Sequence, residues 1–163
     1  MKVMGIDPGS RNTGLAVVES SNAELRSLGY HCIRLPGGPL PGRLSKIYTG
    51  VKEIIREYQP DVVAVEQVFV SNNANSALIL GQARGSAICS AVNHNKDVHE
   101  YSALQIKKAV VGNGNAKKEQ VQHMVRVLLG LTRTPEQDEA DALACAICHI
   151  HTSQIESKLL SQQ

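Results

Sequence analysis

Behind the breaker Pro60, Asp61-Val62-Val63-Ala64-Val65 forms a continuous run of strand length, and the run stops on Glu66. A strand without polar alternation is one covered on both faces, so the chain is expected to build a sheet with helices on either side. A second strand closed by an acid opens the chain: Lys2-Val3-Met4-Gly5-Ile6 runs into Asp7. Pro8-Gly9-Ser10-Arg11-Asn12 follows, dense in turn formers. Segments 15–20 and 30–35 then read as strands, up to the Pro36-Gly37-Gly38-Pro39 breaker. The connections are short, so these three strands are expected to pair as an antiparallel meander.

Leu44, Ile47, Val51, Ile54, Ile55 and Tyr58 recur at spacings of three and four, which predicts a one-sided helix ended by Pro60. Segment 74–92 is also helical in character, with a line of small residues at Ala77, Gly81, Gly85 and Cys89. Such a line admits a close backbone neighbour, either the chain's own sheet or the same helix of a second copy. A short fifth strand is expected at 98–101 and helices at 103–110 and 117–129. A last helix is expected from Asp138 to about Glu156. The fold class is therefore α/β, a five-stranded mixed sheet flanked by helices. It forms one domain over 1–156, with a frayed tail over 157–163.

With 163 residues, 42% apolar and 20% charged, the chain suits one compact domain. No stretch approaches the ~20 apolar residues of a membrane span. The segment before Asp7 is too short for a signal peptide, so a cytoplasmic location is expected. The net charge of +2 permits nucleic-acid binding without arguing for it. Cys32, Cys89, Cys145 and Cys148 are expected as buried thiols. Cys145-Ala146-Ile147-Cys148-His149 fits the haem-attachment pattern, but it also continues a helical pattern with Leu143, Ile147 and Ile150. Packed core cysteines are the better reading.

The informative residues are acids where folding alone would not put them. Asp7 and Glu66 close apolar strands, where charged side chains commonly face a ligand crevice. Asp138 and Asp141 stand three apart at the start of the last helix and project from one face. Acids in a first helical turn also suit the helix dipole, a simpler explanation that does not extend to Asp7 or Glu66. Clustered carboxylates repel unless a cation sits among them. Oxygen ligands without Cys or His favour Mg²⁺, with Mn²⁺ as a substitute. Two such ions ~3.5–4 Å apart would serve phosphodiester hydrolysis.

Four segments carry a resemblance: Gly5-Ile6-Asp7-Pro8-Gly9-Ser10-Arg11-Asn12-Thr13-Gly14, Ala64-Val65-Glu66-Gln67-Val68-Phe69, Leu80-Gly81-Gln82-Ala83-Arg84-Gly85 and Asp138-Glu139-Ala140-Asp141-Ala142-Leu143-Ala144. In order and spacing, from residue 2 to about residue 154, the chain resembles the bacterial RuvC family. The resemblance implies an RNase H-like fold and a homodimer that resolves Holliday junctions, cutting two symmetric strands of four-way junction DNA in recombination and repair. It implies metal binding by Asp7, Glu66, Asp138 and Asp141, and cooperation with the RuvA–RuvB branch-migration complex.

Phe69, the one Phe in the chain, lies three residues beyond Glu66 and beside the polar segment 71–76. It reads either as a core aromatic or as a ring that stacks on an unpaired base, worth ~1–3 kcal/mol; the resemblance assigns it to the junction. Lys107, Lys108, Lys117 and Lys118 flank the Gly112-Asn113-Gly114-Asn115 turn. They read equally as a solvated face or as phosphate contacts. The resemblance favours DNA, most clearly at Lys107 and Lys118, with Lys117 beside them. Segment 70–80 has no basic residue, a departure from related enzymes that often carry one there. His123 reads as surface or structural unless it faces the acids. Alternatives are an RNase H-like nuclease acting on RNA and a DNA-binding module without catalysis. An actin-like ATPase, suggested by Asp7-Pro8-Gly9-Ser10, needs two lobes that 163 residues cannot supply.

Overall fold

A computed structural model of the chain describes residues 1–22, 24–35, 37–68 and 73–161. Its strands are β1 (Lys2–Asp7), β2 (Asn12–Ser21), β3 (Glu24–Arg34), β4 (Val62–Glu66) and β5 (Asp97–Tyr101). Its helices are α1 (Leu40–Tyr58), α2 (Ala74–Asn93), α3 (Ala103–Val111), α4 (Lys118–Leu128) and α5 (Gln137–Leu160). The sheet order is β3-β2-β1-β4-β5. The first three strands form the expected antiparallel meander, and β4 and β5 add in parallel. The mixed sheet of five strands, with helices on both faces, is the architecture expected from the sequence.

Alternation along the strands divides the core in two. Val3, Ala16, Val18, Val62 and Ala64 face a layer built from α3, α4 and α5. Met4, Ile6, Leu15, Val17, Val63 and Val65 face α1 and α2. The same alternation turns Gly5 and Asp7 of β1, and Glu66 of β4, toward the α5 layer.

Several boundaries differ from the sequence reading, each for a physical reason. β2 and β3 are longer than expected because their pairing continues past the apolar residues as far as Ser21 and Glu24, through a register shift at Val17/Val18. Ladder bonds hold the polar ends of this hairpin. α1 begins at Leu40, with Pro41 inside its first turn, where the missing N–H has no helical partner to lose. α5 extends to Leu160, past the expected end near Glu156. Its last turns are exposed, and no Gly or Pro interrupts them.

The line of small residues on α2 does not pack on the chain's own sheet. The buried face of that helix is Ala83, Ala87, Ser90 and Ala91, and the Ser86 and Ser90 hydroxyls donate to the Leu44 and Tyr48 carbonyls of α1 at 2.7 and 2.8 Å. A Cβ added at Gly81 or Gly85 would meet nothing within 4 Å. Cys89, on this outward line, is exposed and Cys32 only partly buried, against the expectation of four buried thiols. Cys145 and Cys148 are buried in α5 as expected. The neighbouring His149 has its Nδ1 2.8 Å from the Tyr101 hydroxyl, so the C-x-x-C-H run belongs to the core. No helix among the described residues is long and apolar enough to cross a membrane.

Candidate active site

The register of β1 sets the site. Across the antiparallel ladder Asp7 faces Gly14, and along the parallel ladder Ile6 lies beside Val65, so the next residues, Asp7 and Glu66, end adjacent strands on one face. Directly after Asp7 the chain reverses through a turn closed by the buried Thr13, whose hydroxyl donates to the Gly9 carbonyl at 3.0 Å. Arg43 braces the outside of the turn by donating to the Ser10 carbonyl at 2.9 Å.

Above these strand ends, α5 approaches the sheet backbone to backbone. A Cβ on Gly5 would overlap the Ala142 carbonyl and crowd the Ala146 nitrogen, and a Cβ on Gly14 would overlap the Asp138 carbonyl. Two bare positions on neighbouring strands thus let the first turns of α5 lie against the sheet and lower Asp138 and Asp141 toward Asp7 and Glu66.

The result is a cavity of about 270 Å³ lined by all four acids, with Lys107, Lys118, Gln137, Ala103, Ile106 and Val121 completing the wall. Burial raises the Asp7 carboxyl well above its ordinary range, and the charges of Asp141, Glu66 and Asp138 push it further, against the pull of Lys118. Glu66 is pushed up to about 7 by burial and by Asp141, with Lys107 and Lys118 opposing. Asp141 is also raised, chiefly by burial, while the Gln137 hydrogen bond and Lys118 hold it down. One pocket thus holds four acids that destabilise each other's charge, with two lysines at its wall.

Lys117 is exposed and lies outside the cavity wall; its backbone N–H donates to Gln120 at 2.8 Å as α4 begins. Lys108 lines a separate groove against α5. His123 is exposed and away from the acids. Phe69 lies outside the described residues. Gln137 was not singled out from the sequence: its amide donates to both Asp141 oxygens, at 3.0 and 2.9 Å. The i to i+4 spacing on α5 is the signal that would have found it. Glu139, between the two aspartates, has a structural task. It accepts from Arg133 at 3.0 and 3.2 Å and from the Glu136 N–H at 2.8 Å.

The family described as crossover junction endodeoxyribonuclease RuvC matches residues 3–149 of this chain. The chain belongs to the RuvC family. Crossover junction endodeoxyribonuclease RuvC of Vibrio vulnificus (strain YJ016) is 58% identical over 151 residues, covering 93% of this chain and 87% of that protein. Among solved structures, Thermus thermophilus RuvC superposes with a TM-score of 0.86 at 35% identity, covering 96% of this chain and 97% of that one. T. thermophilus RuvC in complex with Holliday junction substrate superposes at 0.90 with 34% identity, covering 96% of each chain. The mixed five-stranded sheet is accordingly an RNase H-like fold. RuvC-family membership makes the chain an endodeoxyribonuclease and sets aside the alternatives of an RNA-directed nuclease and of a module without catalysis.

Proposed function

We propose that Asp7, Glu66, Asp138 and Asp141 hold two Mg²⁺ ions, Mn²⁺ substituting, with which the chain cuts paired strands of a Holliday junction. The observation that carries this reading is the convergence of four carboxylates in one cavity, where each raised pKa marks charge that a cation would relieve. The donor set is oxygen alone, which suits a hard divalent ion. Among the described residues, no three acidic, His or Cys side chains yet meet at one ligating point. Binding of an ion would require these side chains to turn toward one point within the cavity they line. When bound, such a pair of ions activates an attacking water and stabilises the leaving oxygen of the phosphodiester.

The rest is the work of the chain. Gln137 holds the Asp141 carboxylate in one orientation with two hydrogen bonds. Lys107 and Lys118 offer positive charge at the wall of the cavity and draw the phosphate backbone toward the acids. Phe69, three residues past Glu66, is assigned to stacking on a base near the cut. Lys117, exposed at the start of α4, extends the positive track away from the cavity. A cytoplasmic site of action and cooperation with RuvA–RuvB both rest on family membership.

The test is cleavage of a labelled four-way junction and a matched linear duplex, with Mg²⁺ and with EDTA. Paired symmetric cuts in the junction alone, lost with EDTA, are the expected result. Cutting of both substrates would remove junction specificity from the reading, and cutting in EDTA would remove the metal.

The homodimer of this reading uses the outward line of α2. Ala74, Ala77, Leu78, Gly81 and Gln82 line a mostly apolar hollow of about 510 Å³, and Leu78 is 67% exposed. Symmetric cuts need two sites related by a two-fold axis, and a helix with small residues at every fourth position lets its own copy approach closely. Gly85→Glu places a charge on this line, at a position where a Cβ meets nothing within 4 Å inside its own chain. It is expected to sediment as a monomer, to melt no lower than a monomeric fold requires, and to lose paired cutting. A Gly85→Glu protein that remains dimeric would move the interface elsewhere.

A further inference from the structure

Arg84 sits in α2 between the outward-facing Gly81 and Gly85, next to the buried Ala83. Its Nε–H donates to the backbone carbonyl of Glu66 at 3.3 Å, and its terminal nitrogen is paired with the Glu100 carboxylate of β5. On the other side of the same peptide, the Gln67 N–H donates to the Tyr101 carbonyl at 2.8 Å. The Glu66–Gln67 peptide is therefore held from both ends, by Arg84 through its oxygen and by β5 through its hydrogen. Glu66 is the last residue of β4, in register with Tyr101, the last residue of β5. Without the guanidinium the chain leaving Glu66 is tied by the Gln67 N–H alone, and the end of β4 that carries the Glu66 carboxylate is held less firmly against α2.

From this geometry we infer that Arg84 is a positioning residue, which clamps the peptide after Glu66 so that the Glu66 carboxylate faces the other three acids, and which links that clamp to the helix proposed to meet the second subunit. The inference rests on the reading of Glu66 as a metal ligand. Arg84 acts through the backbone: the charges that act on the Glu66 carboxylate are those of Asp141, Lys107 and Lys118. Its side chain is only 20% exposed, and it spans two acceptors on different elements, a task suited to the several N–H donors of a rigid guanidinium. A Lys at this position has one donor group and can serve the carbonyl or the carboxylate well, not both.

Arg84→Ala, Arg84→Lys and Glu100→Gln are to be compared with the unaltered protein by Mn²⁺ titration followed by electron paramagnetic resonance in the absence of DNA. Junction affinity without metal, turnover with Mg²⁺ and sedimentation complete the comparison. Arg84→Ala is expected to weaken Mn²⁺ binding and lower kcat by about 10- to 100-fold, the scale of losing a group that orients a ligand, while junction affinity and dimerisation are retained. Arg84→Lys is expected to fall between Ala and Arg, and Glu100→Gln to show a smaller loss in the same direction. Unaltered Mn²⁺ binding and kcat in Arg84→Ala would overturn the inference, as would a loss that tracks dissociation of the dimer. If Arg84→Ala does not fold, the Lys and Glu100→Gln variants decide by the same criteria. Glu66→Gln separates the two levels: if it still binds Mn²⁺ and cuts, the parent reading of Glu66 fails, whereas an inactive Glu66→Gln beside a normal Arg84→Ala removes only the clamp.

Discussion

Replacing Asp7 by Asn is expected to abolish cleavage of a four-way junction while the protein still binds it. Asp7 is the central member of the cluster: it stands beside Glu66 on one strand and opposite Gly14 on the other, and all three remaining acids act on its charge. Asn keeps the shape and removes the charge, so the fold and the DNA surface remain while a cation loses a ligand. If the ions contribute several kcal/mol to the transition state, a loss of ~4 kcal/mol corresponds to roughly a thousand-fold fall in rate. Binding should be equal or tighter, since one negative charge facing phosphate is gone. Single-turnover cleavage beside a gel-shift titration decides it. An Asp7→Asn protein that cuts within about ten-fold of the unaltered rate would take Asp7 out of the metal site.

The same substitution has an opposite effect on stability. With Asp7 raised well above the carboxylate range and Glu66 raised to about 7, the folded chain keeps protons that the unfolded chain has released. Metal-free stability from these groups is therefore full in acid and is lost as pH rises from the ordinary carboxylate range through about 7. Asp7→Asn removes the most affected member. In EDTA at pH 8 it should melt above the unaltered protein, and the difference should shrink at pH 4. Mg²⁺ should raise the melting temperature of the unaltered protein more than that of the variant. Equal melting curves at both pH values would mean that the carboxylates do not repel as their burial implies.

The strand-end acids were legible because two simple periods coincide. A period of two along β1 and β4 places Asp7 and Glu66 on one face, and a spacing of three on α5 places Asp138 and Asp141 together. Which face of α2 is buried was not legible. Ala83 and Ala87 are as small as Ala77 and Gly81, so composition cannot distinguish a seam packed on α1 from one that faces outward. The lysines show the same limit: Lys107 and Lys108 are sequence neighbours, yet helical rotation sends one to the acids and the other to a groove on the far side of α3. Lys117 and Lys118 part in the same way at the start of α4. Arg84 was visible within a recognised segment, but its partners are a backbone carbonyl 18 residues away and a carboxylate on another strand. Contacts of that kind become readable only when the chain is folded.

Gly14→Ala, one methyl group away from the natural sequence and outside the carboxylate set, is expected to cost both stability and activity. Gly14 is the ladder partner of Asp7, and its added Cβ would overlap the carbonyl of Asp138, with the carbonyl carbon only 2.6 Å away. The obstacle is helix backbone, which no rotamer change can move aside. α5 must lift, and it carries Asp138, Asp141 and Gln137 with it. Overpacking of this kind costs ~3 kcal/mol at the upper end of its usual range, equivalent to a melting temperature lower by about 10 °C in a chain of this size. A ligand displaced by ~1 Å is enough for roughly a hundred-fold loss of rate, so cleavage should fall further than the melting curve alone explains. Gly42→Ala is the control, since a Cβ there meets nothing within 4 Å and the substitution favours the first turn of α1. Mn²⁺ titration of Gly14→Ala below its melting point separates the two consequences. Weakened binding in a folded protein means that the seat of α5 on the sheet sets the metal site, whereas normal binding and cutting would show that the helix can shift without disturbing its acids.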